Sequence, residues 1–186
     1  LTPEKGTDRP LTLFAANEVL GGSTTSRLIL DLRESKGWAY YAGSQLPGVK
    51  ETIPLFIYAP VQTDKTGDSI KAALADITDY LTTKGTTEEE RNQTINSQIL
   101  SLPGSFETSS DLLGAMMKNT MLGRPDDYYA TLPARYRAMT PADLDKAARA
   151  AIDPKRLIWV VIGDAKAVKP QLDGIGLPVE MGTAGN

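Results

Sequence analysis

The sequence predicts an α+β fold with helices packed on one face of a mostly antiparallel sheet, and three observations lead there. Two strand-like runs, residues 39–46 and 53–61, flank a Pro47-Gly48 turn signal. Several stretches with apolar residues at helical spacing come next, and one apolar run, residues 157–162, returns near the end. At 186 residues the chain is long enough for one core, so residues 1–186 are expected to form a single unit.

In order along the chain, residues 1–10 are rich in turn formers, and the pattern from Leu11 to Leu20 is helical. Gly21-Gly22 interrupts it, as a glycine pair at a helix end does. Ser23, Thr24 or Thr25 is placed to cap a second helix through Leu28, Ile29 and Leu32 toward Ser35, closed by Lys36-Gly37. The hairpin follows, with Ile53, Leu55 and Ile57 on one face of its second strand. Ile70, Ala73, Leu74, Ile77 and Leu81 make the next helical stripe. Thr87 and Glu90 have the spacing of a capping box, and that helix presents Ile95, Ile99 and Leu102 before Pro103-Gly104. Leu112, Leu113, Met116, Met117 and Met121 form a further stripe, expected to fill the core. Residues 126–137 read as a helix broken near Pro133, and Thr140-Pro141 opens another, with Leu144, Ala147, Ala148 and Ala151 facing inward. Residues 157–163 read as a buried strand, 165–172 as a short helix, and 174–186 as a loose tail. Three strands make a small sheet for so many helices, so a first strand preceding Leu1 is expected to be missing.

Composition excludes whole classes of chemistry. With no Cys there are no disulfides, thiol nucleophiles or thiolate metal sites; with no His there is no imidazole general base, Ser-His-Asp triad or imidazole zinc ligand. A net charge of −3 with scattered Lys and Arg argues against nucleic acid as a partner, and the longest apolar run is far too short to span a bilayer. Glu88-Glu89-Glu90 point in different directions around a helix and suit its positive end. Asn92-Gln93-Thr94 fits a glycosylation triplet by coincidence, and Gly21-Gly22-Ser23 lacks the Lys and spacing of a phosphate loop.

Residues 20–40 stand apart. Arg33 falls on the last turn of a helix and Tyr40 at the start of the next strand, with only the Lys36-Gly37 turn between. Guanidinium and phenol are donors suited to a carbonyl oxygen, or to the oxyanion formed when a carbonyl is attacked. From these residues alone the ordinary structural reading is the stronger: Arg at a helix C-terminus complements the dipole, and Tyr is a common strand residue.

This stretch resembles the signature of the second half-domain of the insulinase-like (pitrilysin-type) zinc metallopeptidases. The matching pieces are Leu20-Gly21-Gly22, Ser26-Arg27-Leu28, Leu32-Arg33-Glu34, Gly37, and Tyr40 seven positions after Arg33. Looser matches follow in order at Gly85-Thr86-Thr87, Thr140 to Leu144, and Val160 to Asp164. The resemblance implies a half-domain of the insulinase or mitochondrial-processing-peptidase type, one of two that face each other around a closed chamber. One half carries an inverted His-x-x-Glu-His zinc motif with a later Glu ligand, and the other contributes an Arg and a Tyr that engage the substrate backbone. By that resemblance Arg33 and Tyr40 are the substrate-binding residues, this chain holds no catalytic residue and no metal, and zinc sits in a partner half on the same parent chain or another subunit. The parent would hydrolyse peptides as a metalloendopeptidase, while this chain, a part of it, would be inactive alone. The family also implies a bacterial periplasmic or envelope address, on which the residues themselves are silent. Structural relatives of the same fold, such as core subunits of respiratory complexes, supply the alternative of a scaffold without peptidase activity. An unrelated α+β binding domain is the third reading and requires the 20–40 match to be accidental.

Overall fold

The structure, a computed structural model, describes residues 9–47 and 53–182. Gly48, the second residue of the hairpin turn signal, and the turn-rich stretch before Arg9 lie outside the described residues.

The first helix, α1 (Arg9–Asn17), continues as a π-helical turn, Glu18–Gly22. Helix α2 (Arg27–Ile29) likewise continues as a π-helical turn, Leu30–Ser35. Its N-cap is Ser26, one residue beyond the expected candidates, and the Ser26 hydroxyl makes no capping bond. Strands β1 (Gly43–Gln45) and β2 (Phe56–Tyr58) pair antiparallel with Ser44 opposite Ile57, and an isolated bridge joins Ala39 to Val61. The hairpin is thus the expected one with shorter paired segments. Five helices complete the body: α3 (Thr66–Leu81), α4 (Glu88–Ser101), α5 (Ser109–Leu122), α6 (Tyr128–Ala138) and α7 (Pro141–Ala151), followed by α8 (Ala165–Asp173).

One apolar cluster unites the chain. It gathers Leu11, Leu20, Leu28 and Leu32 from the first two helices, Ile77 and Tyr80 from α3, Ile95 from α4, Tyr128, Leu132 and Tyr136 from α6, and Leu144 from α7. The hairpin lays Leu55 and Ile57 on it and turns Phe56 and Tyr58 outward, as period-two alternation requires. Capping boxes at Thr87/Glu90 and Thr140/Asp143 start α4 and α7 where the sequence places them, and Thr108/Asp111 adds a third at α5.

Gly21 shows why the glycine pair is needed. A Cβ there would lie 2.6 Å from the Ser44 backbone nitrogen, so the end of the first helix presses directly on β1. Buried Asn17 fastens the same contact: its amide donates to the Ser44 carbonyl at 3.2 Å, and the Ser44 hydroxyl donates back to its side-chain oxygen at 2.7 Å.

Three expectations fail. Helix α6 runs through Pro133 unbroken, because Tyr128, Leu132 and Tyr136 bury one continuous face that outweighs the single missing N–H. The apolar stripe of α5 does not fill the core: Leu112, Leu113, Met116, Met117 and Met121 are all more than half exposed, since the helix packs chiefly on the Pro103–Phe106 turn. Residues 157–163 are not a buried strand. Leu157 and Trp159 rest on the core, but Ile158, Val160 and Ile162 are 90 %, 81 % and 96 % exposed, and no strand among the described residues pairs with the segment.

Candidate functional site

The two arginines of the signature stretch have opposite surroundings. Arg27 is tied into the interior. Its Nε donates to Glu90 Oε1 at 2.7 Å and its Nη2 to Glu90 Oε2 at 2.7 Å, a two-pronged pair with the capping-box glutamate. The same guanidinium donates to the carbonyls of Lys84 and Gly85 and lies 4.8 Å from the Tyr80 ring centre. Tyr80 in turn donates from its hydroxyl to the Ala16 carbonyl at 3.1 Å and shares a hydrogen bond with the Thr86 hydroxyl. Asp145 of α7 accepts from the Thr86 amide at 2.7 Å, which closes a polar node among α1, α2, α3, α4 and α7. Burial works to raise the Glu90 carboxyl, but the Arg27 and Thr87 hydrogen bonds outweigh it and hold it below the usual range. Burial pushes the Tyr80 phenol up to about 12, so it stays a neutral donor.

Arg33 has no such ties. It sits in the π-helical turn that ends the second helix, its side chain 46 % exposed, and its one ion pair among the described residues is with its exposed neighbour Glu34 at 3.4 Å. Its guanidinium lies 5.7 Å from the centre of the Tyr40 ring, and Tyr40 is 85 % exposed. The structure therefore brings the two sequence-predicted site residues together and leaves both open to solvent.

The turn between them is fixed. Gly37 takes a φ of +64°, a left-handed conformation that disfavours a side chain, and its amide donates to the Arg33 carbonyl at 3.1 Å. The Trp38 and Ala39 amides both donate to the Leu32 carbonyl. From beyond β2, Gln62 donates its side-chain amide to the Gly37 carbonyl at 3.0 Å and its backbone amide to the Trp38 carbonyl at 2.9 Å. Lys36 pairs with Asp31 and, with Lys65, lies over the Trp38 ring. The positioning role of Gln62 was not visible in the sequence, because only the Ala39–Val61 bridge brings it to this turn.

Under the turn lies an acidic pair. Burial, then the charge of Asp31, pushes the Asp76 carboxyl of α3 up to about 6. One oxygen each of Asp31 and Asp76 is buried without a hydrogen-bond partner. A carboxyl that keeps its proton in weak acid relieves the repulsion between two such neighbours.

What this defines is a helix-rich unit with a small hairpin that presents Arg33 and Tyr40 together at an exposed turn. Residues 1–98 match the family model described as the peptidase M16 inactive domain, and the chain belongs to that family. It is 32 % identical over 122 residues to a Bacillus subtilis protein described as the uncharacterized zinc protease YmxG, covering 64 % of this chain and 29 % of that protein. It is 25 % identical over 159 residues to an uncharacterized zinc protease of Streptomyces coelicolor, covering 86 % of this chain and 34 % of the relative. The chain thus spans about a third of the length of these relatives. Among solved structures, a peptidase M16 inactive domain from Pseudomonas fluorescens matches with a TM-score of 0.73 at 17 % identity, over 83 % of this chain and 37 % of that one. A Helicobacter pylori protease matches with a TM-score of 0.69 at 20 % identity, over 80 % and 36 %. These structural likenesses speak for the fold.

The zinc named for the relatives has no fitting donor set here. The chain has no His and no Cys, and no three Asp or Glu side chains among the described residues converge to hold an ion. No helix among the described residues is long and apolar enough to cross a membrane.

Proposed function

We propose that this chain is the substrate-holding, non-catalytic half of a zinc-dependent metalloendopeptidase, and that Arg33 and Tyr40 engage the substrate backbone beside the scissile bond. The observation that carries the reading is the exposed Arg33–Tyr40 pair, held by a pinned turn and given no interior task. A guanidinium and a phenol hydroxyl on one side of an extended peptide donate to its carbonyl oxygens, fix its register and favour negative charge on the carbonyl under attack. The attacking group belongs to a zinc-bearing half outside these residues, on the same polypeptide or on a partner subunit, and the two halves enclose the peptide.

The scaffold reading keeps one supporting observation, the uncovered apolar face of α5, which suits a subunit contact with or without catalysis. Capture of the native parent assembly decides between them. Bound zinc together with chelator-sensitive cleavage of quenched fluorescent peptides is the expected result. An intact assembly with neither zinc nor cleavage would leave the scaffold.

A further inference from the structure

The π-helical turn that ends the first helix carries a carboxylate that nothing described in the fold uses. Val19 and Leu20 turn into the core, and Glu18 is left half-buried at a cleft of about 360 Å³. Its Oε1 lies against Gly22, where an added Cβ would come within 2.6 Å of it, so the glycine leaves the room that the carboxylate takes. Among the described residues the Glu18 carboxylate has no ion-pair or hydrogen-bond partner, and no Lys or Arg lines the cleft. Burial pushes its carboxyl up, with no neighbouring cation to bring it back. A carboxylate in that position is stabilised by a cation brought to it.

The rest of the cleft suits a long basic side chain. Asn17 is bonded to Ser44 of β1 in both directions, which fixes one wall. Phe14, Leu46 and Pro47 add apolar surface, against which the stem of a lysine or arginine packs while its head pairs with the carboxylate. Gln45, five positions after Tyr40 on the same segment, also lines the cleft. Five residues of chain span at most about 18 Å, so an extended peptide held at Tyr40 reaches the cleft within about five residues.

We propose, resting on the substrate-holding reading of Arg33 and Tyr40, that the cleft at Glu18 is a subsite for a lysine or arginine side chain of the peptide substrate. The two π-helical turns of the chain then divide the work: the one ending the second helix presents a cation to the peptide backbone, and the one ending the first presents an anion to a side chain. The first contact is indifferent to sequence, and the second selects for it.

Two measurements on the full-length protein test it, with quenched fluorescent peptides that differ only in where one Lys replaces a norleucine. Cleavage is followed in the native protein and binding in the chelator-treated protein, each for the wild type and for the near-isosteric Glu18→Gln. At one position, within about five residues of the scissile bond, Lys should raise kcat/KM and tighten binding about tenfold over norleucine. Glu18→Gln should bring both ratios to about one with Tm unchanged, and Glu18→Lys should reverse the preference in favour of Glu at that position. Cleavage without a lysine preference, or with one that Glu18→Gln leaves intact, would overturn the subsite while the substrate-holding reading stands. Lysine-selective binding that Glu18→Gln abolishes, in a protein that cleaves nothing, would uphold the subsite and sink the peptidase reading. A Glu18→Gln that splits the native assembly and keeps the lysine preference would assign the carboxylate to a partner's cation and overturn the subsite. A protein that neither binds nor cleaves any of the peptides would overturn both.

Discussion

Arg27 and Arg33 lie on one helical stretch, in one signature, and have opposite fates. Arg27 has its charge matched by Glu90, two further N–H groups met by the Lys84 and Gly85 carbonyls, and its guanidinium 4.8 Å from the Tyr80 ring centre. Among the described residues Arg33 meets a neighbouring glutamate and an exposed phenol. Both residues match the family pattern, so matching alone does not say which is structural. Use of the donors does separate them: the Arg27 guanidinium makes four hydrogen bonds within the fold, whereas that of Arg33 stands open at a rigid turn.

The difference can be broken or sharpened by substitution, and the largest stability effect belongs to Arg27. Arg27→Ala strands a part-buried carboxylate and frees two carbonyls, which should cost about 3 kcal/mol and lower Tm by roughly 5 °C in thermal unfolding of the full-length protein. Gly37→Ala comes next, at about 1 kcal/mol, because the left-handed φ of +64° opposes any Cβ although no neighbouring atom would be touched.

A smaller change, of opposite sign, is expected at Asp76. Burial and the charge of Asp31 push its folded carboxyl up to about 6 from the ordinary aspartate value of 3.8, so the folded state binds the extra proton between those values. That stabilising contribution is fully present below the unfolded value and is lost as pH rises through about 6. Asp76→Asn should therefore raise Tm by a few degrees at pH 7, with little change at pH 3.5, in melts recorded across that range. Glu90 runs the other way: its lowered carboxyl contributes stability above its unfolded value, which is lost as pH falls through the folded one. The smallest effect is at Arg33, where replacement by Ala should move stability by no more than about 0.5 kcal/mol, the range of an exposed side chain with one exposed partner.

Much of this was legible in the sequence, and the exceptions share a cause. Local rules placed the capping box of α4, the start of α7, the hairpin and most helix stops, because caps, turns and periodicity act within a few residues. They also placed Arg33 and Tyr40 at one turn, since only Gly37 and its neighbours separate them. The failures concern what lies across from an element. The α5 stripe and residues 157–162 have strong apolar patterns, and a pattern says that a face wants cover without saying where the cover comes from. The π-helical turn that carries Arg33 was invisible too, because its i→i+5 bond, from the Lys36 amide to the Asp31 carbonyl, leaves the apolar spacing almost unchanged.

The central proposal is that the open Arg33–Tyr40 pair acts on substrate, and steady-state peptide-cleavage kinetics of the full-length protein with Arg33→Ala, beside Arg33→Lys and Tyr40→Phe, test it most directly. The account predicts that Arg33→Ala loses about 10²-fold or more in kcat/KM, with Tm and zinc content unchanged. Arg33→Lys should restore part of the loss, since it returns the charge without the two-pronged donor geometry. Full activity in Arg33→Ala, or a loss that follows Tm downward, would return Arg33 to the same structural class as Arg27.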